Sequence, residues 1–181
     1  LRFVVTGEWK RHNLLRLILF FFLVYMLLFW ITNWILYFQS MSLDPDSVVL
    51  HFRGDTDVEF GRPPRPLGAI AETSHFHLFA MGMLVMTLTH LLLFLPVTFR
   101  VKGALTLVTF VSALLAEGSN WLVRYVHPAF AWLKVSSFLV LQLALLGLVF
   151  ALMVGVIRPG RNSYAGDGAS SPRAVNGQKR T

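Results

Sequence analysis

No cysteine occurs among the 181 residues. Disulfides, iron–sulfur clusters, thiolate zinc sites, covalent c-type haem and cysteine nucleophiles are therefore all excluded. Charge is scarce too: acidic and basic residues make up 14% of the chain, against about 25% in an ordinary globular domain. There is no P-loop, no glycine-rich dinucleotide fingerprint, no G-x-S-x-G and no H-E-x-x-H. No apolar run is broken by paired Gly and Pro, as in many transporters. An autonomous hydrolase or transporter is not indicated. What is abundant is apolar surface: hydrophobic residues reach 55%, with sixteen phenylalanines and a mean hydropathy of +0.62. A chain of this length and composition reads as one membrane bundle with polar tails.

Four runs meet the length of roughly 20 residues that a spanning helix needs. They predict an all-α integral membrane protein, a four-transmembrane-helix bundle with spans at 14–38, 73–96, 103–123 and 131–157. The first run is too long for a signal-peptide core and lacks a clear cleavage site. Trp30, Trp34 and Tyr37 cluster at its far end, where amphipathic rings favour the headgroup region. Residues 39–72 form a long irregular loop with six acids and a proline-bearing segment, Gly61 to Gly68, that cannot be helical. Within it Ser47–Phe52 is expected to pair as a short strand. The segment 1–13 is a short basic lead, and 158–181, rich in Gly, Ser, Asn and Arg, is expected to be a disordered tail.

Orientation follows from basic residues in short flanks. One side holds Arg2, Lys10, Arg11, Arg16, Arg100, Lys102, Arg158, Arg161, Arg173, Lys179 and Arg180; the other holds Arg53, Arg62, Arg65, Arg124 and Lys134. The first side is expected to be cytoplasmic and to carry both termini. The acidic loop then faces the periplasm, across a cell inner membrane. The net charge of +7 is read as a topology signal and not as a nucleic-acid site.

Two stripes run along the helices. Gly147, Ala151 and Gly155, with Ala144 nearby, permit close backbone approach, either within the bundle or to another subunit. Thr106, Thr109, Ala113, Glu117, Asn120 and Arg124 fall within about 60° on the third span. A carboxylate within a span faces protein or a wet cavity. Glu117 is expected to pair with Arg124 or Asn120, or to serve as a proton-relay group or a metal or quinone contact.

The second span carries His75, His77 and His90. His75 and His90 are 15 residues apart, which leaves them about 60° apart in rotation and about 22 Å apart along the axis. Gly82 and Met86 lie between them on that face, whereas His77 points elsewhere. Two histidines so spaced, with small residues between, are similar to helices of diheme b-type cytochromes. The resemblance covers about 22 residues of one helix and implies haem b, with His90 and His75, then His77 or His127, as ligands. The other spans have no histidine in their apolar cores, so a second axial ligand would come from His127, His12 or another subunit. Separately, Glu72, His75, His77 and Glu117 form a mixed set at the periplasmic face that is open to zinc, copper or iron. For Glu72, Thr73 and Ser74 the alternative is a helix start, with Thr73 as its cap.

These features leave three readings. The first is a small subunit of a respiratory or photosynthetic-type electron-transfer complex, holding haem b or contacting quinone, with other membrane subunits and a periplasmic redox protein as partners. The second is a non-catalytic accessory subunit of a larger membrane complex. The third is a periplasmic-face metal-binding subunit.

Overall fold

A computed structural model of the protein describes residues 13–55 and 61–157. Residues 1–12 of the basic lead, with His12, and the polar tail at 158–181 lie outside the described residues. Among the described residues, five α-helices follow one another: α1 (Asn13–Ser40), α2 (Pro45–Arg53), α3 (Leu67–Leu92), α4 (Phe99–Trp121) and α5 (Ala131–Ile157). A π-helical turn, Leu122–Val126, continues α4, and a 3-10 turn, Pro128–Phe130, leads into α5. Counting those extensions, α1, α3, α4 and α5 are each long and apolar enough to cross a membrane.

The packing is centred on α5. It lies most extensively along α4 and also contacts α1, α3 and the short α2. Its inward face (Leu141, Leu145, Leu148, Leu152 and Val156) meets Leu23 of α1, Val85, Leu88 and Leu92 of α3, and Ala116 of α4. Leu148 and Leu92 are wholly buried. Gly155 sits where an added Cβ would come within 3.2 Å of Leu95, so that glycine of the small-residue stripe serves internal packing; Gly147 faces open space.

The two ends of the bundle are held differently. At one end Arg16 of α1 donates to the Val156 carbonyl through Nε (3.2 Å) and Nη2 (3.0 Å). A guanidinium there satisfies carbonyls that the last turn of a helix leaves without partners. At the opposite end, termed the α2 end below, Val48 and Phe52 of α2 form a second small core with Ile70, Val123, Ala131 and Val135.

The loop departs from the expectation of irregular structure with a strand. Ser47–Phe52 lies within α2 and not in a strand. Asp44 caps that helix by accepting from the Asp46 N–H, with Pro45 in the first turn, a combination that starts helices. Val48 and Phe52, four residues apart, share one face, and burying that face decides the conformation. The helix ends at Gly54, whose φ of 75° suits glycine. From there the chain returns through Asp55 N–H to Arg62 O (2.9 Å) and Arg65 N–H to Phe52 O (3.1 Å). Helix α3 begins at Leu67, earlier than a start at Thr73 would place it, with Pro66 at its N-cap. Thr73 is therefore a mid-helix residue that donates to Ala69 O at 2.8 Å.

Candidate functional site

Near the α2 end, α3, α4 and α5 bring together the polar groups that the apolar runs contain. Glu117 of α4 is 8% exposed. Its Oε1 accepts from Ser74 Oγ at 2.5 Å and from Asn120 Nδ2 at 3.1 Å. Its Oε2 faces His77 Nδ1 at 3.2 Å. Trp121 Nε1 donates to Ser74 Oγ at 2.8 Å, so the hydroxyl accepts from the indole and donates to the carboxylate. Lys134 of α5 donates to Ala116 O at 2.8 Å and attracts Glu117 through space. In a low-dielectric interior, a carboxylate with three donors and a nearby ammonium is stabilised, whereas an unpaired one is costly.

Of the two expected partners of Glu117, Asn120 is in place and Arg124 is not. Arg124 instead donates to Arg65 O at 3.1 Å and lies over the Tyr125 ring. The π-helical turn explains the difference: His127 N–H bonds to Leu122 O, five residues back. That wider turn moves Arg124 off the stripe that an α-helix would have continued.

The cluster forms one wall of a cavity of about 350 Å³, within the usual range for small-molecule sites. Phe29, Asn33 and Leu36 of α1 face His77, Leu78 and Met81 of α3 across it, with Phe110, Glu117 and Asn120 of α4 and Lys134 and Phe138 of α5 behind. Helix α1 packs on α5 and has little contact with α3 and α4, so the space between α1 and α3 is left open. Leu36 and Leu78, on opposite lips, are 61% and 52% exposed. The cavity therefore opens sideways, toward the lipid that surrounds a spanning bundle. Asn120, one of the lining residues, has its Oδ1 buried without a hydrogen-bond partner. The amide orientation follows from the chemistry, since turning it would aim Oδ1 at the Glu117 carboxylate.

Helix α2 covers the end of the cavity through His51 and Phe52. His51 is 6% exposed. Its Nδ1 lies 3.1 Å from Ser40 O and its Nε2 lies 2.6 Å from Arg65 Nη1. A guanidinium only donates, so Nε2 carries the lone pair and Nδ1 the proton, which it gives to Ser40 O. Burial, with Arg65 and Arg62 close by, holds the imidazole neutral and pushes its pKa down to about 4. Arg65 also reaches Thr73 Oγ1 at 3.3 Å, tying α2 to α3.

The other sequence-derived residues are placed as follows. His75 and His90 lie on an exposed face of α3 together with Gly82 and Met86. Their rings contact Phe76 and Phe94 edge-on, and the separation of His77 from that face agrees with the helical rotation. His127 caps the 3-10 turn, Nδ1 accepting from Ala129 N–H at 3.1 Å. Glu72 is exposed. The proposed metal set of Glu72, His75, His77 and Glu117 does not converge: His77 and Glu117 meet, and no three His, Asp or Glu side chains come together to hold a metal among the described residues. Sequence reasoning did not single out Ser74, Lys134, His51 or Arg65 for this site. A lysine three residues inside α5 was the available signal, because a charge there needs a partner.

No curated protein and no solved structure matches the chain. A family model described as a transmembrane helical domain matches residues 42–163, a stretch that begins just after α1 and takes in α2 to α5. That match covers about two-thirds of the 181 residues, and the chain belongs to the Aq_1264_TM family of transmembrane helical domains.

Proposed function

We propose that this membrane protein is a small subunit of an electron-transfer complex that takes a lipid-soluble carrier of the quinone class into the cavity beside Glu117. The observation that carries the reading is the cavity between α1 and α3, whose largely apolar lining includes the Glu117 and His77 pair. The surroundings fit a flat ring on an apolar tail. Phe29, Phe110 and Phe138 are among the residues that line the cavity. The gap between Leu36 and Leu78 gives a tail a way out into the bilayer. Quinone chemistry also needs proton-exchanging groups near the ring oxygen, and Glu117 and His77 are such groups. His77, with a side chain 58% exposed, links the carboxylate to the surface. On the positive-inside reading that surface is the periplasmic one.

The test is extraction of the gently purified protein, with quinones quantified by mass spectrometry. About one quinone per chain is expected, falling when Ala113, on the cavity wall, is replaced by Trp. Protein that is folded, retains its lipids and holds no quinone at any ratio would overturn the reading.

A second reading has its own observation. His75 and His90 share one exposed face of α3, with Gly82 between them and nothing within 4 Å of where its Cβ would be. Imidazoles facing outward from a span need a partner, and haem b bound to them would take its second axial ligand from another subunit. A reduced-minus-oxidised spectrum decides: a b-type α-band lost in His90→Leu supports haem, and a featureless spectrum excludes it.

A further inference from the structure

We infer that α2 is an acid-sensitive lid: taking up a proton at His51 drives it off the end of the cavity. The inference concerns access to the cavity and does not depend on what the cavity holds. It starts from the two ring nitrogens of His51, both of which are in use. Nδ1 gives its proton to Ser40 O at 3.1 Å, and Nε2 receives an N–H from Arg65 Nη1 at 2.6 Å. An imidazolium carries a proton on each nitrogen. In the closed arrangement a ring N–H would then face a guanidinium N–H, with no lone pair between them. Two further charged groups act on the ring: Arg62, in the segment ahead of α3, and Lys134 of α5. Both are cations, so the added charge is opposed from α5 as well as from the segment that carries Arg62 and Arg65. Helix α1 contributes the Ser40 carbonyl, which Nδ1 already occupies.

His51 is 6% exposed and shares the inner side of α2 with the buried Val48 and Phe52, so the ring gains water when the helix moves. What resists the movement is local. Val48 and Phe52 pack on Ile70, Val123, Ala131 and Val135. Arg65 N–H bonds to Phe52 O at 3.1 Å, and Arg53 Nε bonds to Val123 O at 2.8 Å. The larger core between α1, α3, α4 and α5 contains no residue of α2, so the bundle stands when α2 leaves. A nine-residue helix off its support is shorter than helices that hold in water, and its amides lose protection as it leaves. His51, Phe52 and Ile70 all line the cavity, so release uncovers that end. The direction follows from linkage. Burial and the nearby arginines hold the closed ring's pKa down to about 4, whereas a free imidazole titrates near 6.5. The released form therefore takes the proton first, and acid favours release from about pH 6.5 down to about pH 4.

The experiment uses the full chain in lipid nanodiscs. Backbone hydrogen exchange, read residue by residue and corrected for the intrinsic rate at each pH, gives the opening constants. Between pH 6.5 and 4.5 the opening of the α2 amides and of Arg65 N–H is expected to rise about thirtyfold. The amides of α4 and α5 should change by less than about threefold. Carboxylates with ordinary values near 4 contribute little in this window. His51→Gln keeps an acceptor for Arg65 and has no proton to take up, so the rise should vanish. Uncovering of the cavity is read separately. The chain has no cysteine, so Ile70→Cys, at a position 2% exposed, supplies a single thiol at the cavity end. Its rate with 4,4′-dithiodipyridine is divided by that of Leu67→Cys, at a position 60% exposed, and the ratio should rise in step with the α2 opening. Opening that is flat across the window, or that rises equally in His51→Gln, overturns the inference. Loss of protection in α2, α4 and α5 together overturns a local lid. Amides of α2 that open while the thiol at position 70 stays closed overturn the uncovering of the cavity. The comparison of α2 with α4 and α5 is made on the unaltered chain, so the inference is tested even where the variants do not fold.

Discussion

Replacing Glu117 by Leu and by Gln separates what its charge does from what its hydrogen bonds do. Glu117→Leu leaves three donors without their acceptor: Ser74 Oγ, Asn120 Nδ2 and His77 Nδ1. Ser74 and Asn120 are each 6% exposed, and orphaned buried groups cost about 1–3 kcal/mol apiece. Ser74 recovers part of this by turning its hydroxyl toward a carbonyl of its own helix. His77 recovers most, because its side chain is 58% exposed. Lys134 loses the counter-charge it interacts with, and breaking a buried pair by removing one member costs about 3–5 kcal/mol. The terms overlap, and about 3–4 kcal/mol is the expected total. Glu117→Gln keeps an oxygen for Ser74 and Asn120 and turns its amide toward His77, which meets it by changing tautomer. About 1–1.5 kcal/mol is then lost. The assay is reversible unfolding in mixed micelles by SDS titration, followed by tryptophan fluorescence. If Glu117→Leu lies within about 0.5 kcal/mol of the parent, or if Gln and Leu cost the same, the carboxylate does not organise the cluster.

Three further perturbations probe the elements around the site. Gly54→Ala places a Cβ against Arg62 O and within 2.7 Å of Pro64 N at a positive φ; it should cost more than about 1 kcal/mol and speed amide exchange at Gly54 and Arg65 while α4 and α5 stay protected. His51, with its pKa pushed down to about 4 from an unfolded value near 6.5, takes up its proton in the unfolded chain first. Its contribution is therefore full above about pH 6.5 and is lost as pH falls toward about 4. An NMR titration should find the ring neutral, with the proton on Nδ1, throughout that window, and a midpoint near 6.5 would contradict the burial under α2. Gly155→Val drives methyls into Leu95, which already lies 3.2 Å from an ideal Cβ, and a cost of about 1–3 kcal/mol is expected by the same SDS titration.

The bundle was legible because bilayer thickness imposes a length that a sequence displays. Helix α5 runs from Ala131 to Ile157, where the apolar run and its flanking Pro128 and Arg158 place it. Helix α2 was harder, since its nine residues are too few for a periodicity to stand out. Its signal was the cap Asp44-Pro45-Asp46 followed by Val48 and Phe52 four residues apart, which is a helix spacing and not a strand alternation. The stripe on α4 correctly placed Glu117 beside Asn120, because residues three apart on a helix are neighbours whatever surrounds them. It failed at Arg124, where the π-helical turn changes the phase, and a hydrogen-bond pattern of that kind leaves no mark in composition. The partners from other helices, Ser74 and Lys134, were not legible. Periodicity says which residues share a face, not which faces meet.

The cavity has the same origin. Helix α1 is apolar on all sides, so its sequence does not reveal which side it presents to the bundle. Trp30, Trp34 and Tyr37, expected at headgroup depth, hold α1 against α5. Trp30 Nε1 donates to Gln142 O at 2.9 Å, Tyr37 stacks on Phe138 with centroids 3.9 Å apart, and Trp34 meets the same ring edge-on at 5.1 Å. A helix fixed to α5 by three large rings cannot also close on α3. The gap left between them is the one that opens toward lipid, and it ends at the Glu117 cluster. The aromatic clamp and the Glu117 cluster are thus parts of one construction. Shortening the clamp with Trp34→Leu and Tyr37→Leu should let α1 lean toward α3 and narrow the cavity. Binding of quinone, read as the amount retained per purified chain, would then weaken by about tenfold or more, with no residue of the polar wall altered. Unchanged binding in the folded double variant would show that α1 has no part in shaping the site.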